Sequence, residues 1–131
     1  MIVVGASALV ELLIGSDVGD RVGSRLRGAD LHAPAHVDVE VVGALRRAVR
    51  GEWLTRHEAA SAVAEFGQLR MHRWPLAGLS MAAFDLLDTV TVADVYYAVL
   101  AEALDAPLVT CDGGLARSHG HRATFDLIAA T

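Results

Sequence analysis

Short apolar segments alternate with longer segments of helical periodicity along this 131-residue chain. Ile2–Val4 is an apolar run that ends at Gly5, and the apolar residues after it recur at helical spacing until Gly15. Pro107–Thr110 and Thr124–Leu127 are similar short runs further along the chain. Such alternation is typical of a parallel sheet, because parallel strands need crossover connections. The sequence therefore predicts an α/β fold in which helices flank a central parallel β-sheet on both faces.

The remaining elements follow from the same periodicity and from local start and stop signals. Short strands are predicted at Asp30–Ala33 and Met71–Trp74. Ser7 is expected to cap the first helix, and Pro34 is expected to stand in the first turn of the third helix, where its missing N–H costs nothing. The segment Thr55-Arg56-His57-Glu58 has the form of a capping box. The later helices are predicted over Asp17–Arg27, from Pro34 to Gly51, from Thr55 through Leu69, over Ser80–Leu87 and over Val92–Leu104.

Length, cysteine content and charge limit the classes of protein to which the chain can belong. We expect residues 1–131 to form one domain around one hydrophobic core. No segment has the roughly 18 uninterrupted apolar residues of a membrane span, and Cys111 is the only cysteine, so we expect a cytoplasmic protein without a disulfide. The formal net charge of −5 argues against charge-driven binding of nucleic acid over the whole surface and leaves room for a local basic patch.

Three of the 16 acidic residues stand out by their context. Glu40 interrupts the apolar pattern HVDVEVVGAL, Asp94 falls in the first turn of the helix TVTVADVYYAVLAEAL, and Asp112 follows the buried strand PLVT. Both aspartates are also good helix caps, and the glutamate by itself suits a partly exposed helix position. Their combination favours a site, because carboxylates that meet at the carboxyl edge of a sheet repel one another unless a cation offsets their charge.

Several stretches of the sequence resemble a known family. They are the opening MIVVGASALVELL, then PAHVDVEVVGALRR, WPL and TVADVYYAVLAEALDAPLVTCDGGLA, and the short final strand. In this order and at this spacing they resemble the PIN-domain toxins of type II toxin–antitoxin systems, the virulence-associated protein C (VapC) family. The resemblance covers nearly the whole chain. It implies a PIN fold with an acidic pocket at the carboxyl edge of the sheet, and an endoribonuclease activity that depends on Mg²⁺, with Mn²⁺ as a second candidate metal.

The family motif maps onto particular residues of this chain. The carboxylates that the resemblance makes catalytic and metal-binding are Glu40, Asp94 and Asp112. Ser7 and Thr110 match the hydroxyl residues that orient these acids in the family. The family's first aspartate belongs at the end of the first strand, where this chain has Gly5. The resemblance therefore predicts an acidic site from which one metal ligand is missing.

Gly5 has more than one explanation. A glycine also permits a tight turn from a strand into a helix. If Gly5 stands in place of the ligand, there are three possible origins: a deliberate inactivating substitution, a natural decay, or a site that works with fewer acids. Because the loss of a ligand weakens metal binding, we expect this polypeptide to be weakly active or inactive. The alternative function is a nuclease-dead PIN module that acts by binding its antitoxin or RNA.

The resemblance also implies partners for the chain. They are a cognate antitoxin of the VapB type, an RNA substrate and a second copy of the chain in a homodimer, with no membrane. Two apolar stripes, Leu9-Leu12-Leu13 and Phe84-Leu87, suit an antitoxin groove, although their spacing favours the hydrophobic core.

Basic residues cluster in two parts of the chain. Arg46, Arg47 and Arg50 form one face of a predicted helix. Together with Arg117 and Arg122 they form a candidate patch for RNA phosphates, although a solvated helix face explains them better.

Overall fold

Five strands of the computed structural model, which describes residues 1–86 and 90–129, form a single parallel sheet. The strands are β1 (Ile2–Val4), β2 (Leu31–Pro34), β3 (His72–Trp74), β4 (Leu108–Thr110) and β5 (Phe125–Leu127). They lie in the order β3-β2-β1-β4-β5, and every neighbouring pair is parallel. The predicted α/β fold with a central parallel sheet is therefore confirmed.

Helices connect the strands throughout the described part of the chain. They are α1 (Ala6–Ile14), α2 (Asp17–Leu26), α3 (Val37–Arg50), α4 (Arg56–Gln68), α5 (Ser80–Asp85), α6 (Val92–Leu104) and α7 (Gly113–Ala116), with a 3-10 turn at Ala77–Leu79. The bounds predicted for α6 agree with the structure. The helix predicted over Ser80–Leu87 ends at Asp85, and Leu87 lies outside the described residues.

Two helix ends follow directly from their sequence. Gly15 adopts the left-handed conformation, with φ of 72°, and its N–H closes the end of α1 on the carbonyl of Leu12. Thr55 and Glu58 form the predicted capping box of α4. The Thr55 hydroxyl accepts the Glu58 N–H at 3.0 Å, and the Glu58 carboxylate accepts the Thr55 N–H at 2.9 Å.

Two predictions at helix starts are wrong. Ser7 does not cap α1, because the helix already begins at Ala6 and Gly5 is its N-cap residue. Pro34 is not in the first turn of a helix but is the last residue of β2, paired with Trp74, and α3 begins at Val37. A proline is tolerated at such a strand end because its missing N–H removes no internal bond of the sheet.

The two faces of the sheet carry separate hydrophobic clusters. Ile2 and Val4 point into a cluster with α1, α2, α3 and α4, whereas Val3 points into a second cluster built around Tyr97 and Leu100 of α6. Alternate residues of a strand point to opposite faces, so β1 is buried on both sides. Helices therefore cover both faces, as predicted, and the central strands are held rigidly.

The apolar stripes differ in burial. Leu9 is fully buried in the core, in line with the core interpretation of its stripe. Phe84 is 66% exposed, so the core interpretation is wrong for this residue, because α5 is a short helix that buries only Ala83. Among the described residues, no helix is long and apolar enough to cross a membrane.

Candidate active site

A cavity of about 360 Å³ opens at the carboxyl ends of β1 and β4. Helices α1, α3, α6 and α7 contribute to its wall. All the residues singled out from the sequence line it: Gly5, Ser7, Glu40, Asp94, Thr110 and Asp112. The structure thus brings together three carboxylates that are far apart in sequence, at the edge where parallel sheets place their sites. Their roles as catalytic or metal-binding groups stay predictions.

A larger cavity of about 590 Å³ lies at the opposite edge of the sheet. It is lined by Pro107 and Thr124, which precede β4 and β5, and by Glu102, Asp105 and Arg122. The Glu102 carboxylate already accepts the backbone N–H of Arg122. Because this cavity lies away from the strand ends that deliver side chains to a site, the acidic cavity is the better candidate in spite of its smaller volume.

Glu40 is held by a buried tyrosine. The Tyr97 hydroxyl donates a hydrogen bond of 2.7 Å to Glu40 Oε1. His36, one turn before Glu40 on the same helix face, lies with Nε2 at 3.4 Å from the same oxygen and at 2.7 Å from the Ala93 carbonyl oxygen. Burial, together with the bond to Glu40, raises the pKa of Tyr97 well above its ordinary value. The phenol therefore stays protonated and orients the glutamate.

Asp94 occupies the third position of α6 and does not cap the helix. The cap is Thr91, whose hydroxyl accepts the Asp94 N–H at 3.4 Å and donates to Asp94 Oδ2 at 3.0 Å. Burial raises the pKa of the Asp94 carboxyl, and the negative charges of Asp112 and Glu40 raise it further against the opposing effect of the Thr91 bond. Asp94 therefore lies close enough to Asp112 and Glu40 for their negative charges to disfavour its ionised form.

Asp112 serves as a helix cap and also faces the cavity. Its Oδ1 accepts the N–H groups of Gly114 at 2.9 Å and Leu115 at 3.2 Å, at the start of α7. Its own N–H donates to the Thr110 hydroxyl at 3.0 Å. The two interpretations of this residue from the sequence, a cap and a site carboxylate, are therefore compatible.

Ser7 and Thr110 fix the backbone at the end of β4. The Ser7 hydroxyl accepts the Cys111 N–H at 3.0 Å and lies 3.2 Å from the Thr110 hydroxyl. Thr110 is fully buried. These bonds hold the chain that leads to Asp112, so the two hydroxyl residues are placed to position that carboxylate.

Gly5 has an ordinary extended backbone, with φ of −77° and ψ of 154°. A Cβ atom built there would lie 3.4 Å from the Val109 carbonyl oxygen and 3.5 Å from the Thr110 hydroxyl, which are ordinary van der Waals distances. Neither the dihedral angles nor the space requires a glycine, since any L-residue adopts this conformation. The turn into α1 therefore does not explain the glycine, and a Cβ atom fits at this position without a clash.

The donor set of the cavity suits a hard divalent cation. Three carboxylates supply only oxygen, the ligand that Mg²⁺ prefers. No three carboxylate, histidine or cysteine side chains among the described residues are grouped closely enough to hold one ion by themselves. Protein-bound Mg²⁺ generally keeps several of its waters and takes only one or two carboxylates directly, so it does not require three such side chains around one ion.

Three further lining residues were not singled out as site residues from the sequence. They are Glu11, Arg47 and Tyr97. Tyr97 stands three residues after Asp94, and Arg47 seven residues after Glu40, spacings that place each pair on one helix face. For Tyr97 this helical spacing was the only signal, whereas Arg47 was also part of the candidate patch for RNA phosphates. Arg122, included in the candidate phosphate patch, lies instead at the opposite edge of the sheet.

Comparison with known proteins agrees with this fold. A family model described as PIN domain matches residues 2–119. Ribonuclease VapC12 of Mycobacterium tuberculosis is 50% identical over 129 residues, covering 98% of this chain and 100% of that protein. The chain therefore belongs to the PIN-domain family and, within it, to the VapC ribonuclease toxins.

Two solved structures share the fold at low sequence identity. The Mycobacterium tuberculosis toxin VapC20, described as cleaving the sarcin-ricin loop, aligns with a TM-score of 0.67 and 17% identity over 88% of this chain and 93% of its own. VapBC2 from Rickettsia felis, bound to a DNA fragment from its promoter, aligns with a TM-score of 0.70 and 16% identity over 97% of this chain and 98% of its own. At these identities the likeness establishes the fold alone.

Proposed function

We propose that this toxin hydrolyses RNA phosphodiester bonds at the acidic cavity with Mg²⁺, or with Mn²⁺ in its place. The observation that carries the proposal is the meeting of Glu40, Asp94 and Asp112, from three separate elements, on one cavity. The similarity to Ribonuclease VapC12 supports the same reaction.

Some residues of the cavity are proposed to bind the metal, and others to position those ligands. Glu40, Asp94 and Asp112 would hold the metal, directly or through water. When bound, the ion activates a water for attack on phosphorus and neutralises charge that develops on the phosphate oxygens. Tyr97 donates a hydrogen bond from its hydroxyl to Glu40 and fixes the direction of that carboxylate. Thr110 holds the backbone N–H of Asp112.

We further propose that Gly5 weakens this site by leaving out one carboxylate. The residue lines the cavity in an extended conformation, and a Cβ atom there would make only ordinary van der Waals contacts. Each charge contact near a protein surface contributes up to about 4 kcal/mol of Coulomb attraction before solvation offsets it, so a missing carboxylate has a large effect on metal affinity. The alternative function, a nuclease-dead module that binds antitoxin or RNA, is favoured by this gap.

The proposed partners follow from the family. We propose a VapB-type antitoxin that binds the chain in a toxin–antitoxin pair, and the Rickettsia felis VapBC2 structure supports this partner. We propose in addition that the chain forms a homodimer and acts in the cytoplasm. Phe84 and Met81, both strongly exposed on α5, are candidates for these contacts.

The proposal is tested by RNA cleavage with and without metal. Total cellular RNA is incubated with the chain and with Gly5→Asp, in Mg²⁺, in Mn²⁺ and in EDTA, and Asp94→Asn is added to Gly5→Asp as the inactive control. We expect weak or no cleavage by the chain and metal-dependent cleavage by Gly5→Asp. A folded Gly5→Asp protein that cuts no more RNA than the chain itself would show that the cavity is not a nuclease site with a missing ligand.

A further inference from the structure

We propose that Arg47 binds an RNA phosphate at the acidic cavity and that, among the arginines of α3, it alone has this role. The inference rests on the proposed function, because it names the residue that brings a polyanion to that site. The problem it addresses is electrostatic. RNA must approach three carboxylates, and their repulsion is reduced by any cation beside them, whether a bound metal ion or a basic side chain of the protein.

The position of Arg47 follows from the periodicity of α3. Glu40, Ala44 and Arg47 are spaced at i, i+4 and i+7, so they share one face of the helix, and all three line the acidic cavity. A Cβ atom built on Gly43 would lie 3.5 Å from Arg47 Nη1. The guanidinium therefore lies back along the helix over Gly43, towards the turn that carries Glu40.

The charge of Arg47 is not used by another residue of the described chain. Arg25 pairs with Asp126 at 2.5 Å, and Arg73 pairs with Asp38 at 2.5 Å, but no such ion pair involves Arg47 within the described ranges. Its side chain is exposed. A guanidinium presents its N–H donors in a planar fork that matches two phosphate oxygens. An unpaired fork at the wall of an acidic cavity is suited to a phosphate that the carboxylates themselves cannot hold.

The other arginines of the same helix point elsewhere. Arg46 and Arg50 line a separate cavity of about 380 Å³ between α3 and α4, together with Arg56. They carry the same charge on the same helix and are exposed like Arg47. A general attraction of RNA to the basic helix would involve all of them, whereas a phosphate site at the acidic cavity involves only Arg47. Arg46 and Arg50 are therefore matched controls.

The first test measures RNA binding without cleavage. A fluorescein-labelled single-stranded oligoribonucleotide is titrated in EDTA with the chain, Arg47→Ala, Arg47→Lys and Arg46→Ala over a series of salt concentrations. For Arg47→Ala we expect binding about tenfold weaker and a salt slope smaller by about 0.7, the value for one phosphate contact on a single strand. Arg47→Lys keeps the slope and loses part of the affinity. Arg46→Ala binds like the chain.

A second test uses cleavage and separates this inference from the proposed function. In the Gly5→Asp background, Arg47→Ala should raise KM several-fold more than it lowers kcat, and Arg46→Ala should leave both unchanged. If Gly5→Asp cleaves RNA but Arg47→Ala and Arg46→Ala have equal effects in both tests, the inference about Arg47 is wrong and the proposed function stands. If Gly5→Asp neither binds nor cleaves RNA, both are overturned.

Discussion

The first turns of α4 and α6 have the same local design and opposite electrostatics. Each begins with a threonine cap and has an acid at the third helical position, Thr55 with Glu58 in α4 and Thr91 with Asp94 in α6. Backbone and side-chain hydrogen bonds with Thr55 lower the pKa of Glu58, whereas burial and neighbouring carboxylates raise the pKa of Asp94. Glu58 is a solvent-exposed part of its capping box, and Asp94 faces a cavity.

The comparison separates a carboxylate that is satisfied within its own helix turn from one that lies beside other carboxylates at a cavity. The longer side chain of Glu58 returns to the N–H of its cap residue and is satisfied there. Asp94 accepts a bond from the Thr91 hydroxyl but remains beside Asp112 and Glu40, which destabilise its charge. Repulsion between carboxylates destabilises the folded protein, and a bound cation would relieve it. The raised pKa of Asp94 therefore indicates a functional site more strongly than the lowered pKa of Glu58 does.

The largest difference is expected between the two variants in which one of these acids is neutralised. In the Gly5→Asp background, Asp94→Asn should reduce RNA cleavage about 100-fold or more, because it removes a charged group proposed to hold the metal. Glu58→Gln should leave cleavage unchanged, because glutamine also closes a capping box. The measurement is the initial rate of RNA cleavage in Mg²⁺. Equal losses in the two variants would mean that the position in the cavity gives Asp94 no special role.

A smaller effect is expected at the residue that orients Glu40. Tyr97→Phe removes the hydroxyl that donates to Glu40 Oε1 and should lower metal affinity or cleavage about 10- to 100-fold in the Gly5→Asp background. Calorimetric titration with Mn²⁺ measures the affinity, and Tyr96→Phe, on the neighbouring residue, is the control. A Tyr97→Phe protein with unchanged affinity would show that the hydroxyl holds the helices together without positioning a ligand.

The smallest effect is the pH dependence of stability, which should have opposite signs for the two acids. Because the pKa of Asp94 is raised on folding, its contribution to stability falls as pH rises from the ordinary aspartate value through the raised one. Because the pKa of Glu58 is lowered, its contribution is present above the ordinary glutamate value and is lost as pH falls through the lowered one.

Urea unfolding in EDTA gives the free energy of unfolding of the chain and of each variant across the acidic pH range. The difference between the variant and the chain measures the contribution of the replaced acid. Asp94→Asn should gain stability relative to the chain as pH rises, and Glu58→Gln should lose it. If both differences have the same sign, the opposite environments described for these acids do not exist.

The sequence predicted the sheet well, because strand burial and helix periodicity are local signals. The helix over Val92–Leu104 and the capping box at Thr55 needed no tertiary information. Pro34 was misplaced because its preference for a helix start gave way to pairing with β3, which only the fold provides. Ser7 was misplaced because its hydroxyl bonds to the end of β4, about 100 residues away in sequence.

The site was predicted in its carboxylates and not in its supporting residues. Glu40, Asp94 and Asp112 were found because they interrupt apolar patterns or follow buried strands, and the family resemblance assigned their roles. Tyr97 belongs to an ordinary helix pattern, and Arg47 was grouped with Arg46 and Arg50 on a basic helix face. Only the fold, in which one end of α3 and one end of α6 meet at the carboxyl edge of the sheet, brings both residues to the cavity. Local periodicity in the sequence does not predict which residues of different helices meet at a cavity.

The most direct test of the proposed site compares the metal affinities of proteins that differ only at position 5. Calorimetric titration with Mg²⁺ and Mn²⁺ is carried out on the chain, Gly5→Asp and Gly5→Ala, where alanine adds the Cβ atom without the carboxylate. We predict that Gly5→Asp binds metal at least about tenfold more tightly than the chain, and that Gly5→Ala binds like the chain. Equal, weak binding by all three folded proteins would contradict the proposal that Gly5 stands in the place of a metal ligand.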